Sequence, residues 1–218
     1  MIATYLQLLD ERIGKQLDAD SRSFLDETLA GAMRLRTLIQ DLATYTRLDA
    51  PESRRVATDL NRLVGDVLGN LRAAIAEANA AVSVGALPTL VVDPAQMVLL
   101  FQNLIGNAIK FRGPRSPRIA VHATRNGSRW VFQVRDTGIG IDPRYHHKIF
   151  AVFQRLHPRS RYPGNGIGLA LCKSIVEKHG GIISVESREG DGTTFRFSLP
   201  HAPQQDDSSR WQTTPEGS

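Results

Sequence analysis

Apolar residues at Ile2, Tyr5, Leu6, Leu9 and Ile13 recur at helical spacing and predict a helix over residues 1–13. Gly14 follows as a C-terminal stop, and residues 14–20 read as a short loop. A second stripe, Leu25, Leu29, Ala32, Leu35, Leu38, Ile39, Leu42 and Tyr45, predicts a longer helix from about Ser21 to Leu48, with Asp20 or Ser21 as its cap. Two amphipathic helices joined by a short loop form an antiparallel hairpin. A hairpin buries one face of each helix, so the remaining apolar surface is expected to pair with a second copy, giving a four-helix bundle across a homodimer.

Residues 49–53 read as a linker, because Pro51 cannot continue the helix. Beyond it the pattern mixes helix and strand. Val56–Thr58 reads as a short strand, and Asp59 caps a helix to about Ala78. Val82–Val84 and Leu90–Val92 are short strands. Asp93, Pro94 and Gln96 open a helix in the manner of a capping box, and that helix runs to about Phe111. Ile119–Thr124 and Arg129–Arg135 alternate apolar and polar around Asn126-Gly127, a hairpin signal. A helix over Gly166–His179 stops at Gly180-Gly181, and Ile182–Val185 with Thr194–Leu199 gives a last strand pair. Residues 201–218 are polar and aperiodic and are expected to be disordered.

Composition narrows the function classes. With 41% hydrophobic residues, a packed core is within reach and wholesale disorder is not expected. No apolar run reaches the roughly 18 residues of a membrane helix. The N-terminus has neither a basic segment nor a small-residue cleavage site, so it does not read as a signal peptide. The single cysteine, Cys172, rules out an internal disulfide and suits a reducing cytoplasm. The formal charge is +5, but the arginines are spread along the chain without a basic block or interleaved aromatics, so no nucleic-acid partner is expected.

Four segments carry chemistry. Asn103 and Asn107 stand one helical turn apart, with Lys110 further along the same side, a set suited to a hydrated cation and phosphate oxygens. Asp136-Thr137-Gly138-Ile139-Gly140-Ile141 directly follows a strand. Its carboxylate can accept a hydrogen bond from an exocyclic amine such as that of adenine, and Gly138 and Gly140 let backbone approach a flat ring. Phe150 and Phe153 precede Arg155 beside a long loop, an arrangement that reads either as core packing of the rings or as a lid whose arginine reaches phosphates. Gly164-Asn165-Gly166-Ile167-Gly168-Leu169 opens a helix, where free N–H groups and the positive dipole end favour a polyphosphate. No Gly-Lys-Ser/Thr follows, so this is not a lysine-bearing phosphate loop.

In this order and placement the four segments resemble the N, G1, F and G2 boxes of the catalytic ATP-binding domain of sensor histidine kinases, within the superfamily that includes gyrase-type ATPases. Gly190–Phe195 resembles the closing glycine-threonine segment, and residues 164–200 look like phytochrome-type kinases in particular. The resemblance implies an α+β chain: a truncated dimerisation and phosphotransfer hairpin over 1–50, then an α/β sandwich ATP-binding domain over 54–200. It implies ATP and Mg²⁺ as ligands. Asn107 would be the Mg²⁺ ligand, with Asn103 and Lys110 on the phosphate side. Asp136 would read adenine, and Gly138 and Gly140 would line the base pocket. Phe150, Phe153 and Arg155 belong to the lid. Gly164, Gly166, Ile167, Gly168 and Leu169 would lie on the phosphate side, and Thr194 in the closing segment. ATPases of the superfamily place a glutamate where Asn103 stands. An amide is no base at neutral pH, so fast ATP hydrolysis is not expected.

The same resemblance places a phospho-accepting histidine, followed by an acidic residue and a proline, on the first helix, upstream of Met1. None of the six histidines, His122, His146, His147, His157, His179 and His201, stands before an acidic residue. His146 and His147 read as helix-surface residues, and His179 as a cation at a helix C-terminus. The chain is expected to be a fragment or a gene model begun at an internal methionine, the other reading being a naturally short protein acting on a partner. The expected function is the catalytic part of a cytoplasmic two-component kinase, with a response regulator as partner. The competing class is a regulatory module that binds nucleotide and pairs with kinase subunits without catalysis.

Overall fold

The computed structural model describes residues 1–47, 54–158, 161–162 and 164–201, and the chain divides into two compact units, Met1–Pro51 and Glu52–Ser218. The expected linker over 49–53 and the tail beyond His201 lie outside the described residues.

In the first unit α1 (Ile2–Ile13) and α2 (Ala19–Arg47) pack against one another across the connection Gly14–Asp18. Gly14 stops α1 as expected, with a right-handed backbone, φ −55°, that begins a 3₁₀ turn. Its lack of a side chain serves close approach: a Cβ there would lie 2.6 Å from Arg22 Nη1, which pairs with Asp10 Oδ1 at 2.9 Å. The cap of α2 is neither Asp20 nor Ser21. Asp18 Oδ1 accepts the Ser21 N–H at 2.7 Å, satisfying one of the helix's unpaired donors. Leu25 is buried, whereas Ile2, Tyr5, Leu9, Ile13, Leu35, Ile39 and Leu42 are exposed; the side chain of Tyr45 lies outside the described set.

The second unit is a layer of helices on a five-stranded sheet of order β2-β4-β5-β7-β6, with a separate antiparallel pair, β1 (Val56–Asp59) and β3 (Thr89–Val92). The large sheet contains β2 (Ala81–Val84), β4 (Arg118–Asn126), β5 (Arg129–Asp136), β6 (Ile182–Arg188) and β7 (Gly192–Pro200). Only the β2–β4 pairing is parallel; the other neighbours are antiparallel. The β4–β5 hairpin turns one residue later than the Asn-Gly signal implies. Asn126 pairs with Arg129, so Gly127 and Ser128 form the turn, and Gly127 supplies its positive φ of 59°.

Alternation builds the core. Ile119 and Val121, Phe132 and Val134, and Phe195, Phe197 and Leu199 face the helices. Against them lie α3 (Leu60–Asn70), α5 (Pro94–Lys110) and α6 (Gly168–Lys178). Phe101 meets Phe132 and Phe197 edge-on at 6.2 and 5.8 Å, while Phe132 and Phe197 stack at 4.8 Å. Each such ring contributes about 1.5–3 kcal/mol of burial, and truncating one to alanine costs roughly 3–5 kcal/mol.

The helix expected from Asp59 to Ala78 is two helices. Asp59 caps as expected, accepting from Asn61 and Arg62, but the chain leaves α3 at Leu71 and resumes as α4 (Arg72–Glu77). Gly69 and Asn70 just before the break are poor helix formers.

Asp93 caps α5, its Oδ1 accepting the Ala95 and Gln96 N–H groups at 3.0 and 3.1 Å. The reciprocal half of a capping box is not made by Gln96, whose Oε1 is buried without a partner among the described residues. The Asp93 N–H instead donates to His179 Nε2 at 3.0 Å. This corrects the reading of His179 as a helix-end cation. It is 3% exposed, and Nδ1 lies 2.8 Å from the Ile175 carbonyl. A carbonyl only accepts and an N–H only donates, so the ring is the neutral Nδ1–H tautomer. Burial, the largest cause, depresses its pKa below the ordinary value. His179 thus ties the last turn of α6 to the first of α5.

Candidate functional site: a cleft between two helices and the sheet end

Where α5 ends, α6 begins, β5 ends and β7 starts, a cleft opens with about 850 Å³ of free space, solvent at its mouth included. Its lining draws on all four motif segments.

From α5 come Asn107 and Lys110. Lys110 sits with Nζ 4.2 Å from the Phe111 ring centroid, and its pKa is depressed by burial first and by the Arg155 charge second. Asn103, one turn earlier, does not line the cleft. Its Nδ2 donates to the Leu99 carbonyl at 2.9 Å, and its Oδ1 packs directly against Gly168, where a Cβ would clash with it.

From the end of β5 comes Asp136, 8% exposed. Its Oδ1 accepts two backbone N–H bonds, from Gly138 at 2.8 Å and Thr193 at 3.2 Å. Among the described residues nothing donates to Oδ2. Burial raises the carboxyl to about 6, against the two N–H bonds that pull it down. Gly138 is a wall element and not a lining residue: a Cβ there would fall 2.5 Å from the Phe111 carbonyl, which accepts the Ile139 N–H at 3.0 Å. Gly140 does line the cleft, and its φ of 72° and contact with the Arg188 carbonyl leave no room for a side chain.

The loop after β5 places the lid residues. Phe150 is half-buried and meets Phe195 edge-on at 6.4 Å. Phe153 is 54% exposed and holds a left-handed φ of 64°, and it lies outside the lining. Arg155 lines the cleft, and its guanidinium donates to the carbonyls of Gly164, His157 (3.2 Å) and Tyr162 (3.1 Å). Gly164, Gly166, Gly168 and Leu169 line the side where α6 starts, while Ile167 is buried beneath. Gly164 and Gly166 have positive φ, which is why α6 begins at Gly168 and not at Gly166. His146 and His147 follow a 3₁₀ turn, Pro143–Tyr145, and are not on a helix.

Thr194 points to the other face of the sheet, into a groove with Arg135 and Arg196. The lining residue is Thr193, buried and in phase with Phe195 and Phe197. Strand alternation in the sequence already carried that signal. Phe111, Ile139 and Ile141 also line the cleft from within the recognised segments. Gln154 lines it from within the Phe150–Arg155 segment, whereas Ile149, Leu156, His157 and Tyr162 come from irregular chain outside the four segments, where no periodicity announces a site.

Chemically, the cleft pairs a buried carboxylate with flat apolar walls at one region, and two cations with glycine backbone at another. That combination suits a planar base bearing an exocyclic amine, joined to a polyanion. Among the described residues no group of three His, Cys, Asp or Glu side chains gathers to hold a metal. The donor offered to a cation is the Asn107 amide, which fits Mg²⁺, an ion that keeps several waters and leans on substrate phosphates.

The chain belongs to the histidine kinase-, DNA gyrase B- and HSP90-like ATPase family, whose profile matches residues 92–203. It is 44% identical over 199 residues to phytochrome-like protein Cph1 of Synechocystis sp., covering 91% of this chain and 27% of that protein. Sensor protein kinase WalK of Staphylococcus haemolyticus is 32% identical over 209 residues, covering 90% of this chain and 33% of that one. The chain therefore spans about a quarter to a third of the length of these relatives. Full-length ShkA, solved in complex with AMPPNP, superposes with a TM-score of 0.72 at 25% identity, over 93% of this chain and 43% of that one. The catalytic domain of histidine kinase ThkA gives a TM-score of 0.60 at 26% identity, over 68% of this chain and 97% of that domain.

Proposed function

We propose that this chain binds ATP with Mg²⁺ in the cleft and forms the catalytic part of a two-component sensor histidine kinase. The γ-phosphoryl of ATP passes to an imidazole nitrogen outside the histidines of this chain, and from there to an aspartate of a response-regulator receiver domain. The observation that carries the reading is Asp136: Oδ1 is held by two backbone N–H groups, Oδ2 meets no donor among the described residues, and the residue lines a cleft walled by Gly140 and isoleucines. A carboxylate so placed accepts the adenine amine.

The remaining roles follow from position. Asn107 would hold the cation that accompanies the phosphates. Lys110 and Arg155 offset the phosphate charge, and the glycine backbone at the start of α6 lets the phosphates approach its N–H groups. Little covalent chemistry is asked of the protein; positioning and charge neutralisation supply the acceleration. Asn103, with its amide bound to Leu99 and packed on Gly168, positions α6 against α5 in this account. It offers no base to activate water, so the chain alone turns over ATP more slowly than about 1 s⁻¹, the low end of ordinary enzyme rates.

Among the described residues no helix is long and apolar enough to cross a membrane. We place the chain in the cytoplasm, where its ATP is, as a homodimer through the exposed apolar rows of α1 and α2. The test is labelled phosphate from γ-labelled ATP, followed onto a partner carrying the acceptor-histidine helix. Transfer that needs Asn107 supports the reading; binding without any transfer overturns the kinase assignment.

A further inference from the structure

Three rings line one stretch of the cleft: Phe111 at the end of α5, and His157 and Tyr162 from the loop after Arg155. Their centroids lie 5.0 Å apart for Phe111–Tyr162, 5.3 Å for His157–Tyr162 and 6.1 Å for Phe111–His157. Tyr162 does more than pack. Its hydroxyl donates to the Arg112 carbonyl at 3.3 Å, joining positions 50 residues apart in sequence. Its own carbonyl accepts Arg155 Nη2 at 3.1 Å. One half-buried residue therefore touches three parts of the site: its side chain meets the helix end that carries Lys110 and the ring that walls the cleft, and its backbone carbonyl holds the arginine assigned to phosphate.

We propose that Tyr162 is a positioning residue that sets how fast nucleotide leaves the cleft, an inference that rests on the nucleotide reading above. The hydroxyl–Arg112 bond and the Tyr162–Phe111 contact tether Tyr162 to the end of α5 along one side of the cleft. A bound nucleotide departs when that side opens, so the tether acts on dissociation. Association, governed by encounter with the cationic region, is left nearly unchanged. The Arg155 bond runs to the Tyr162 backbone carbonyl, so substituting the side chain keeps it.

The test is stopped-flow release of a fluorescent N-methylanthraniloyl-ADP with Mg²⁺ from the whole chain, chased with unlabelled ADP. Tyr162→Phe removes only the hydroxyl. Release is expected to quicken about five-fold, the worth of one neutral hydrogen bond, with association rate and melting temperature unchanged. Tyr162→Ala, losing the ring contacts as well, is expected to quicken release by roughly 20- to 50-fold. Unchanged release in Tyr162→Phe overturns the proposal, as does a melting temperature that falls in step with faster release, which would make the residue merely structural. A wild-type chain that gives no saturable signal refutes the nucleotide reading itself.

Discussion

Gly168 opens α6 directly over Asn103 of α5, so closely that any Cβ at 168 would run into the Asn103 Oδ1. Asn103 cannot swing aside freely, because its Nδ2 is bonded to the Leu99 carbonyl. Gly168→Ala is therefore expected to destabilise the fold by about 1–3 kcal/mol through overpacking and to weaken ATP binding at least ten-fold. Combining it with Asn103→Ala removes the obstacle, and the double variant should be more stable than Gly168→Ala alone. Urea titrations of the four proteins measure this; strict additivity would show that the two residues are not in conflict.

Asp136 sets function against stability. Its carboxyl is raised from 3.8 to about 6 by burial, so between those values the folded chain holds the proton more tightly than the unfolded one. The stability that this group contributes is complete below about 4 and is lost as pH rises through 6. Asp136→Asn keeps an Oδ1 to accept the Gly138 and Thr193 N–H groups but cannot ionise. At pH 7.5 the variant is expected to be more stable than the parent by up to about 3 kcal/mol, a gain that disappears near pH 4. It should nevertheless bind no ATP. In the parent, ATP affinity should fall as pH drops through about 6, because the amine of the base needs the ionised acceptor. Denaturant titrations across pH, paired with calorimetric binding, check both halves.

His179 carries the opposite sign. Burial depresses its pKa below 6.5, so its contribution is present above 6.5 and is lost as acid protonates the ring. Protonation takes away the acceptor for the Asp93 N–H at the start of α5. His179→Ala is expected to cost about 1–3 kcal/mol at pH 8 and distinctly less at pH 5. An equal loss at both pH values would contradict the neutral-tautomer assignment.

The helical unit leaves Leu35 and Ile39 of α2 62% and 63% exposed, one turn apart on one face. Replacing both by glutamate should leave the ATP-binding unit folded and turn a dimer into a monomer. Sedimentation equilibrium reads the outcome. A parent that is already monomeric at micromolar concentration would remove the dimer from the account.

Much of the lining of this candidate site is legible in the sequence. Asn107, Lys110, Asp136, Gly140, Arg155 and the glycines around α6 sit in short segments whose order along the chain is distinctive, and the cleft draws on each. What escaped depends on partners distant in sequence. The environment of His179 is fixed by Asp93, which is 86 residues away, so helix-end logic alone assigned it a charge. Thr193 was passed over for Thr194 although the strand's alternation favoured it. His157 and Tyr162 lie where the chain is irregular, and their place in the site depends on contacts with Phe111 and Arg112, distant in sequence. Local turn and cap details erred by a residue or two, at Asp18, Ser128 and Gly168, because several neighbours there could serve the same geometry.

Nucleotide binding in the cleft is read out by calorimetric titration of the folded chain with ATP and Mg²⁺. Saturable binding of one nucleotide per chain is expected, abolished by Asp136→Asn in a protein whose circular dichroism is unchanged. Absence of binding at millimolar ATP, or full binding by that variant, would contradict the nucleotide reading.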